Sequence, residues 1–130
     1  MKQVVVTAGA RTPIGNFGGA LKDVTPQRMG SFAVREVIVR AQVDPRLIDE
    51  VIIGSVGHTS DAYNVARVIA LLAGIPVRTP AYSVQRNCSS GLQPFVNAYQ
   101  NIQSEDADVQ IVGGVESMSR APFVSRDMRW

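Results

Sequence analysis

Apolar residues along this chain follow two rhythms. Short continuous runs alternate with longer stretches in which apolar positions recur every three or four residues. The first pattern marks strands buried on both faces, and the second marks helices with one buried side. Gln3–Thr7, with three consecutive valines, predicts a fully buried strand. Thr25-Pro26 opens a helix, with Thr25 as N-cap and Pro26 at the first helical position. Ala33, Val34, Val37, Ile38 and Ala41 line one face of that helix. Asp44-Pro45 repeats the start signal for a short helical turn through Ile48. Glu50–Val56 reads as a second strand, nearly continuous and apolar around Gly54. Tyr63–Ala73 reads as a helix burying Val65, Ala66, Ile69, Leu72 and Ala73, with Gly74 as its cap and Pro76 as its stop. Ala81–Arg86 alternates as a strand does. After Gly91, the spacing of Leu92, Phe95, Val96, Tyr99 and Ile102 predicts a helix with that stripe buried. Val109–Val112 is the last strand, ended by Gly113-Gly114. The tail from Glu116 to Trp130 has no clear period and carries Arg120, Arg126 and Arg129. Strands alternating with helices, apolar on both faces, imply an α/β fold with a mostly parallel sheet covered by helices.

Composition narrows the function classes. At 130 residues the chain is one domain's worth, and its 45% hydrophobic content is that of a soluble globular protein. Thirteen basic and eleven acidic residues leave a net charge of +2, too small an excess to mark a nucleic-acid surface. A single cysteine excludes an internal disulfide and a cysteine-cluster zinc site, and it suits a reducing compartment. No window is long and apolar enough to span a membrane, and Met1-Lys2-Gln3 leads straight into the first strand with no secretory or transit pattern. A cytoplasmic location is therefore expected. The Gly9–Gly19 segment holds four glycines but lacks the Gly-Lys-Ser/Thr of a phosphate loop, so it reads as a connection.

The lone cysteine, Cys88, stands where a strand hands over to a helix. The first N–H groups of a helix have no internal partners, and the helix dipole is positive there. A thiolate, the nucleophilic form, is favoured at such an end, and the same N–H groups can stabilise an oxyanion. The spacing places the helix start near Ser90, with Pro94 still in the first turn, where its missing N–H is harmless. The competing reading of a lone cysteine is a small buried hydrophobe. His58, the only histidine, sits in the polar Gly57–Asp61 loop. With no visible partner it reads as an ordinary loop residue rather than a general base, dispensable for chemistry.

Four ordered stretches resemble the thiolases, the acetyl-CoA C-acyltransferases. Asn87-Cys88-Ser89-Ser90-Gly91-Leu92-Gln93 is similar to the family's nucleophile motif. Arg11-Thr12-Pro13-Ile14-Gly15, with Phe17 and Gly19, resembles its N-terminal signature. Asn64-Val65-Ala66-Arg67 with Ala73-Gly74-Ile75-Pro76 resembles the segment before the nucleophile strand. Gly113-Gly114-Val115-Glu116-Ser117-Met118-Ser119, then Ala121-Pro122, resembles the segment closing the first half of the fold. The resemblance covers nearly the whole chain.

The resemblance implies a half-fold with a five-stranded mixed sheet between helices. It divides the chain into residues 1–118, the nucleophile-bearing domain, and 119–130, the start of the loop region that holds coenzyme A. It implies thiolysis of a 3-ketoacyl-CoA, or the reverse Claisen condensation, through an acyl-cysteine at Cys88, with the Cys88 backbone N–H as an oxyanion donor. Acyl-CoA and CoA are then substrates, and neither a bound cofactor nor a metal is implied. A homodimer or tetramer is implied for the complete enzyme, and the strand before Cys88 resembles the family's dimer-contact strand. The activating histidine, the second cysteine and the water-positioning asparagine of the family lie in its second half. This chain has no second cysteine, no Gly-His-Pro and no Asn-Glu-Ala-Phe. The chain alone is therefore expected to be inactive, as part of a longer polypeptide or completed by a separate chain. Two other readings stand beside this one: a 3-ketoacyl-synthase-like condensing enzyme, and a non-catalytic thiolase-like lipid-binding or dimerisation module.

Overall fold

The computed structural model describes residues 2–57 and 61–128. Three strands form one parallel sheet: β1 (Glu50–Gly54), β2 (Ala81–Val84) and β3 (Gln110–Gly114), in the order β2-β1-β3. The register pairs Ile52 with Tyr82 on one side and with Val112 on the other. Helices α1 (Pro26–Ala41) and α2 (Val65–Leu72) pack on one face, and α3 (Gln93–Gln103) packs on the other. The α/β class and the parallel sheet agree with the strand–helix alternation.

Local chemistry explains the helix ends. The Thr25 hydroxyl accepts from the Arg28 N–H at 3.3 Å, and Pro26 stands in the first turn of α1. Asn64 caps α2 by accepting from the Arg67 N–H at 3.1 Å. Gly74 follows α2 at φ 86°, a backbone state that costs glycine nothing, and the Ile75 N–H returns to Ala70 O at 3.0 Å. Alternation along β1 sends Val51 and Ile53 toward α1 and α2, where they join Val34, Ala66, Ile69 and Ile111 in the main core. Ile52, also fully buried, points to the α3 side.

Two expectations fail here. Among the described residues the sheet has three strands rather than five, and all of them are parallel. Gln3–Thr7 forms no strand among the described residues, and Val5 and Val6 are 65% and 76% exposed. A buried strand needs a hydrogen-bonding neighbour and cover on both faces. Anchors stand at Lys2, just before the segment: its ammonium lies 3.4 Å from Asp108, and Gln103 donates to Lys2 O. Elsewhere boundaries shift, mostly inward, while β3 runs on through Gly113 and Gly114 instead of ending at Val112. α2 starts at Val65 and leaves Leu72 exposed, and β1 and β2 end at Gly54 and Val84.

Helix α3 reverses the expected orientation. Its apolar stripe of Leu92, Phe95, Val96 and Tyr99 faces outward, 40% to 67% exposed. The side toward the sheet is polar and small. Pro94 and Ala98 are buried there, Asn97 donates to the Tyr82 hydroxyl at 3.0 Å, and Asn101 donates to the Glu50 carboxylate at 3.1 Å. Hydrogen bonds join the small apolar contacts of Pro94 and Ala98 in seating this helix. Periodicity identifies an apolar face, but not what that face will meet.

Glu50 gives a pH-dependent signature. Burial raises its pKa, and donation from Gln110 and Asn101 only partly opposes that. A folded-state pKa above the unfolded one means stability is present below the ordinary glutamate range and lost as pH rises through the raised value. Glu50→Gln removes the half-buried charge and keeps an oxygen that can accept from Gln110 and Asn101. Urea unfolding should show the variant gaining on the parent between pH 4 and pH 7. An equal gap at both pH values would contradict this account.

Candidate active site

The C-terminal ends of the three strands converge on one edge of the sheet, where parallel α/β proteins place their ligands. β2 leads there into a tight turn. The Ser89 N–H bonds Arg86 O at 3.1 Å, and the Ser90 N–H bonds Asn87 O at 3.0 Å. Asn87 adopts φ 48°, a left-handed state that asparagine tolerates better than most residues. Cys88 sits at the crown of this turn with its side chain exposed. The buried-hydrophobe reading of the lone cysteine is therefore set aside.

Relative to the helix, Cys88 lies further out than the spacing indicated. α3 begins at Gln93 rather than near Ser90, so the cysteine belongs to the turn and not to the helix end itself. Successive turns still connect the two, because the Leu92 and Gln93 N–H groups both bond Ser89 O at 3.1 Å. Pro94 stays in the first helical turn, as expected.

The turn rests directly on the sheet. A Cβ on Gly54, the last residue of β1, would lie 1.9 Å from Ser90 O. A Cβ on Gly114, the last residue of β3, would lie 3.0 Å from Gly91 Cα. Two glycines thus open the floor on which residues 90 and 91 lie. Side-chain bonds brace the turn from the flank. The Arg86 guanidinium donates to Gln93, Gln93 donates to Asn97 at 2.7 Å, and Asn97 donates to Tyr82 on β2.

The neighbouring loops are tied together as well. The Glu116 carboxylate, just beyond β3, accepts from the Val56 and Gly57 N–H groups at 2.8 and 2.9 Å. The Gly18 N–H donates to Ser119 Oγ at 2.9 Å, joining the Arg11–Gly19 signature to the Gly113–Ser119 signature. A cavity of about 530 Å³ lies between that N-terminal loop, α1 and β3, and Cys88 does not line it. His58 lies outside the described residues. Among the described residues no cluster of histidine, cysteine and carboxylate side chains is placed to hold a metal.

Residues 4–130 match the model of the thiolase N-terminal domain. The chain belongs to the thiolase family. This N-terminal thiolase domain is 47% identical over 131 residues to a beta-ketothiolase of Cupriavidus necator, covering 99% of this chain and 33% of that protein. It is 43% identical to the mitochondrial 3-ketoacyl-CoA thiolase of Bos taurus, over 100% of this chain and 33% of that protein. The solved acetyl-CoA acetyltransferase of Bacillus anthracis superposes with a TM-score of 0.94 at 44% identity, covering 97% of this chain and 32% of that one. The thiolase domain therefore spans about a third of the length of the relatives it matches.

Its place at a strand-to-helix turn singled out Cys88, and its supports were missed. Ser90 and Gln93 fall within the quoted Asn87–Gln93 stretch with no role assigned to them, and Arg86 and Asn97 carry no local signal that would set them apart. Gly54 did carry one: a glycine inside an apolar strand marks a close backbone approach.

Proposed function

We propose that this domain supplies the nucleophile of a thiolase acting on 3-ketoacyl-CoA, or on acyl-CoA in the condensing direction. The observation that carries the reading is the exposed Cys88 on a braced turn at the C-terminal edge of the sheet. In condensation, the Cys88 sulfur bonds to the thioester carbonyl carbon, the carbonyl oxygen carries the charge, and CoA thiolate leaves. In thiolysis, the sulfur attacks the 3-keto carbon and the C2–C3 bond breaks. The departing enolate takes a proton to become acetyl-CoA, and CoA thiol then removes the acyl group from Cys88. The thiol proton goes to a base outside these residues, as the family pattern implies. We keep the division into residues 1–118, the nucleophile domain, and 119–130, the start of the CoA-binding loop region. CoA remains a substrate, and fatty acid metabolism in the cytoplasm is the matching role. No described helix is long and apolar enough to cross a membrane.

The test is mass spectrometry of the intact protein after brief exposure to acetyl-CoA. An acetyl group on Cys88, removed on adding CoA, is the expected result. No adduct would favour a non-catalytic module. A stable adduct that CoA does not remove would favour a synthase-like enzyme.

The remainder of the polypeptide, or a partner subunit, would cover the outward stripe of α3. Without cover, four large apolar side chains on one helix face should drive association. The 130-residue chain by itself is expected to sediment as a dimer or larger species and to lack thiolysis activity. Phe95→Ser with Tyr99→Ser should shift it toward monomer. A stable, active monomer would contradict both expectations.

A further inference from the structure

The geometry points to Ser90 as the positioning residue that holds Cys88 on line for acyl transfer. This rests on the thiolase reading above and extends it to a residue two places beyond the nucleophile. Ser90 is only 4% exposed, in contrast to the exposed Cys88 beside it. Its hydroxyl accepts from the Arg86 N–H at 2.8 Å and donates to Asn87 O at 2.7 Å. The hydroxyl thus accepts from one and donates to the other of the two residues immediately before Cys88. The side chain closes the base of the turn, and Cys88 and Ser89 form its crown.

Two further observations give this clasp its purpose. Asn87 is held in a left-handed conformation, a state that persists only where its surroundings over-determine it. The Ser90 hydroxyl supplies one of those constraints by holding Asn87 O. Ser90 is also the residue whose own carbonyl lies against the end of β1, where Gly54 makes room. Position therefore passes from the rigid sheet through the Ser90 backbone, and from the Ser90 hydroxyl to the turn that presents the sulfur. The Ser90 side chain makes these contacts to backbone alone, so its role is alignment rather than proton transfer.

Misplacing a nucleophile by about an ångström costs on the order of 100-fold in rate, whereas a small free reagent has no fixed approach to lose. In the intact protein, Ser90→Ala should lower kcat for acyl transfer roughly 10- to 100-fold, with KM changed less than about threefold. Alkylation of Cys88 by iodoacetamide should change less than about threefold. Val34→Ala, a core variant on the opposite face of the sheet, should lower the unfolding temperature and leave kcat per folded molecule unchanged. A kcat for Ser90→Ala within twofold of an active wild type would overturn the positioning role alone. Equal losses in acyl transfer and alkylation would overturn it too, because they would mean general disruption of the turn. Should Ser90→Ala not fold, amide exchange in the wild type decides: a slow Arg86 N–H supports the clasp, and exchange at the rate of an open peptide refutes it. A wild type with no acyl transfer would overturn the thiolase reading, and the positioning role with it.

Discussion

Replacing Cys88 by alanine in the intact protein is expected to lower acyl transfer by about 10⁴-fold or more, roughly 5.4 kcal/mol of barrier. The size follows from covalent catalysis. The sulfur forms the bond that divides one hard step into two, and no other side chain in this domain is a cysteine that could replace it. The exposed turn makes the same atom accessible to iodoacetamide, so alkylation should abolish activity in step with labelling of Cys88. Folding should be unaffected, because an exposed side chain on a turn buries little when folded. Retention of most activity by Cys88→Ala would sink the assignment of the nucleophile. A variant that lost activity and also unfolded at a lower temperature would put Cys88 in the packing instead.

The second large effect belongs to Gly54. Adding one methyl group there sets a carbon 1.9 Å from the Ser90 carbonyl oxygen. Backbone lies on both sides of that clash, and no flexible side-chain end can yield. Overpacking of this kind costs about 1–3 kcal/mol and occasionally more, and the short distance puts Gly54→Ala at the upper end. The protein has two ways to relieve it: lose stability, or lift the turn from the sheet and move Cys88. Denaturant unfolding reads the first and kcat reads the second, and at least one should change strongly. Gly91 is the internal comparison. A Cβ there meets nothing within 4 Å, so Gly91→Ala should stay within about 0.5 kcal/mol of the parent. If Gly54→Ala proved as stable and as active as the parent, the turn would not rest on β1 as described.

The two predictions describe one arrangement. Parallel strands end together, and the loops that leave them share a small region above the sheet edge. Here the β2 loop carries Cys88, the ends of β1 and β3 are bare glycines beneath it, and Glu116 ties the loops after β1 and β3 to each other. The motifs that resemble the thiolases are far apart in the chain. Gly18 and Ser119, 101 residues apart, are in hydrogen-bond contact.

Much of this was legible in the chain itself. Thr25-Pro26 and Gly74 are local signals, each satisfied by atoms within a few residues, and each marks a helix end as read, whereas the Asn64 cap was not read and starts α2 two residues after Tyr63. The runs at Glu50 and Val109 needed only their own apolar content to be recognised as strands, and Ala81–Arg86 only its alternation. The nucleophile motif Asn87–Gln93 pointed to Cys88 because its chemistry and spacing are compact. What the tertiary structure alone decided was pairing and facing. Gln3–Thr7 has strand composition, but a strand exists only with a neighbour, and the three-stranded sheet does not include it. The stripe on α3 has helical spacing, but the sheet offers that helix Tyr82 and Glu50, so its polar side turns inward and its apolar side faces out. Gly54 hints at a close backbone approach and Ser90 lies within the motif, but neither names its partner until the turn is laid on the sheet. Their roles depend on atoms brought together from positions 54 and 90, and no pattern within either segment encodes that contact.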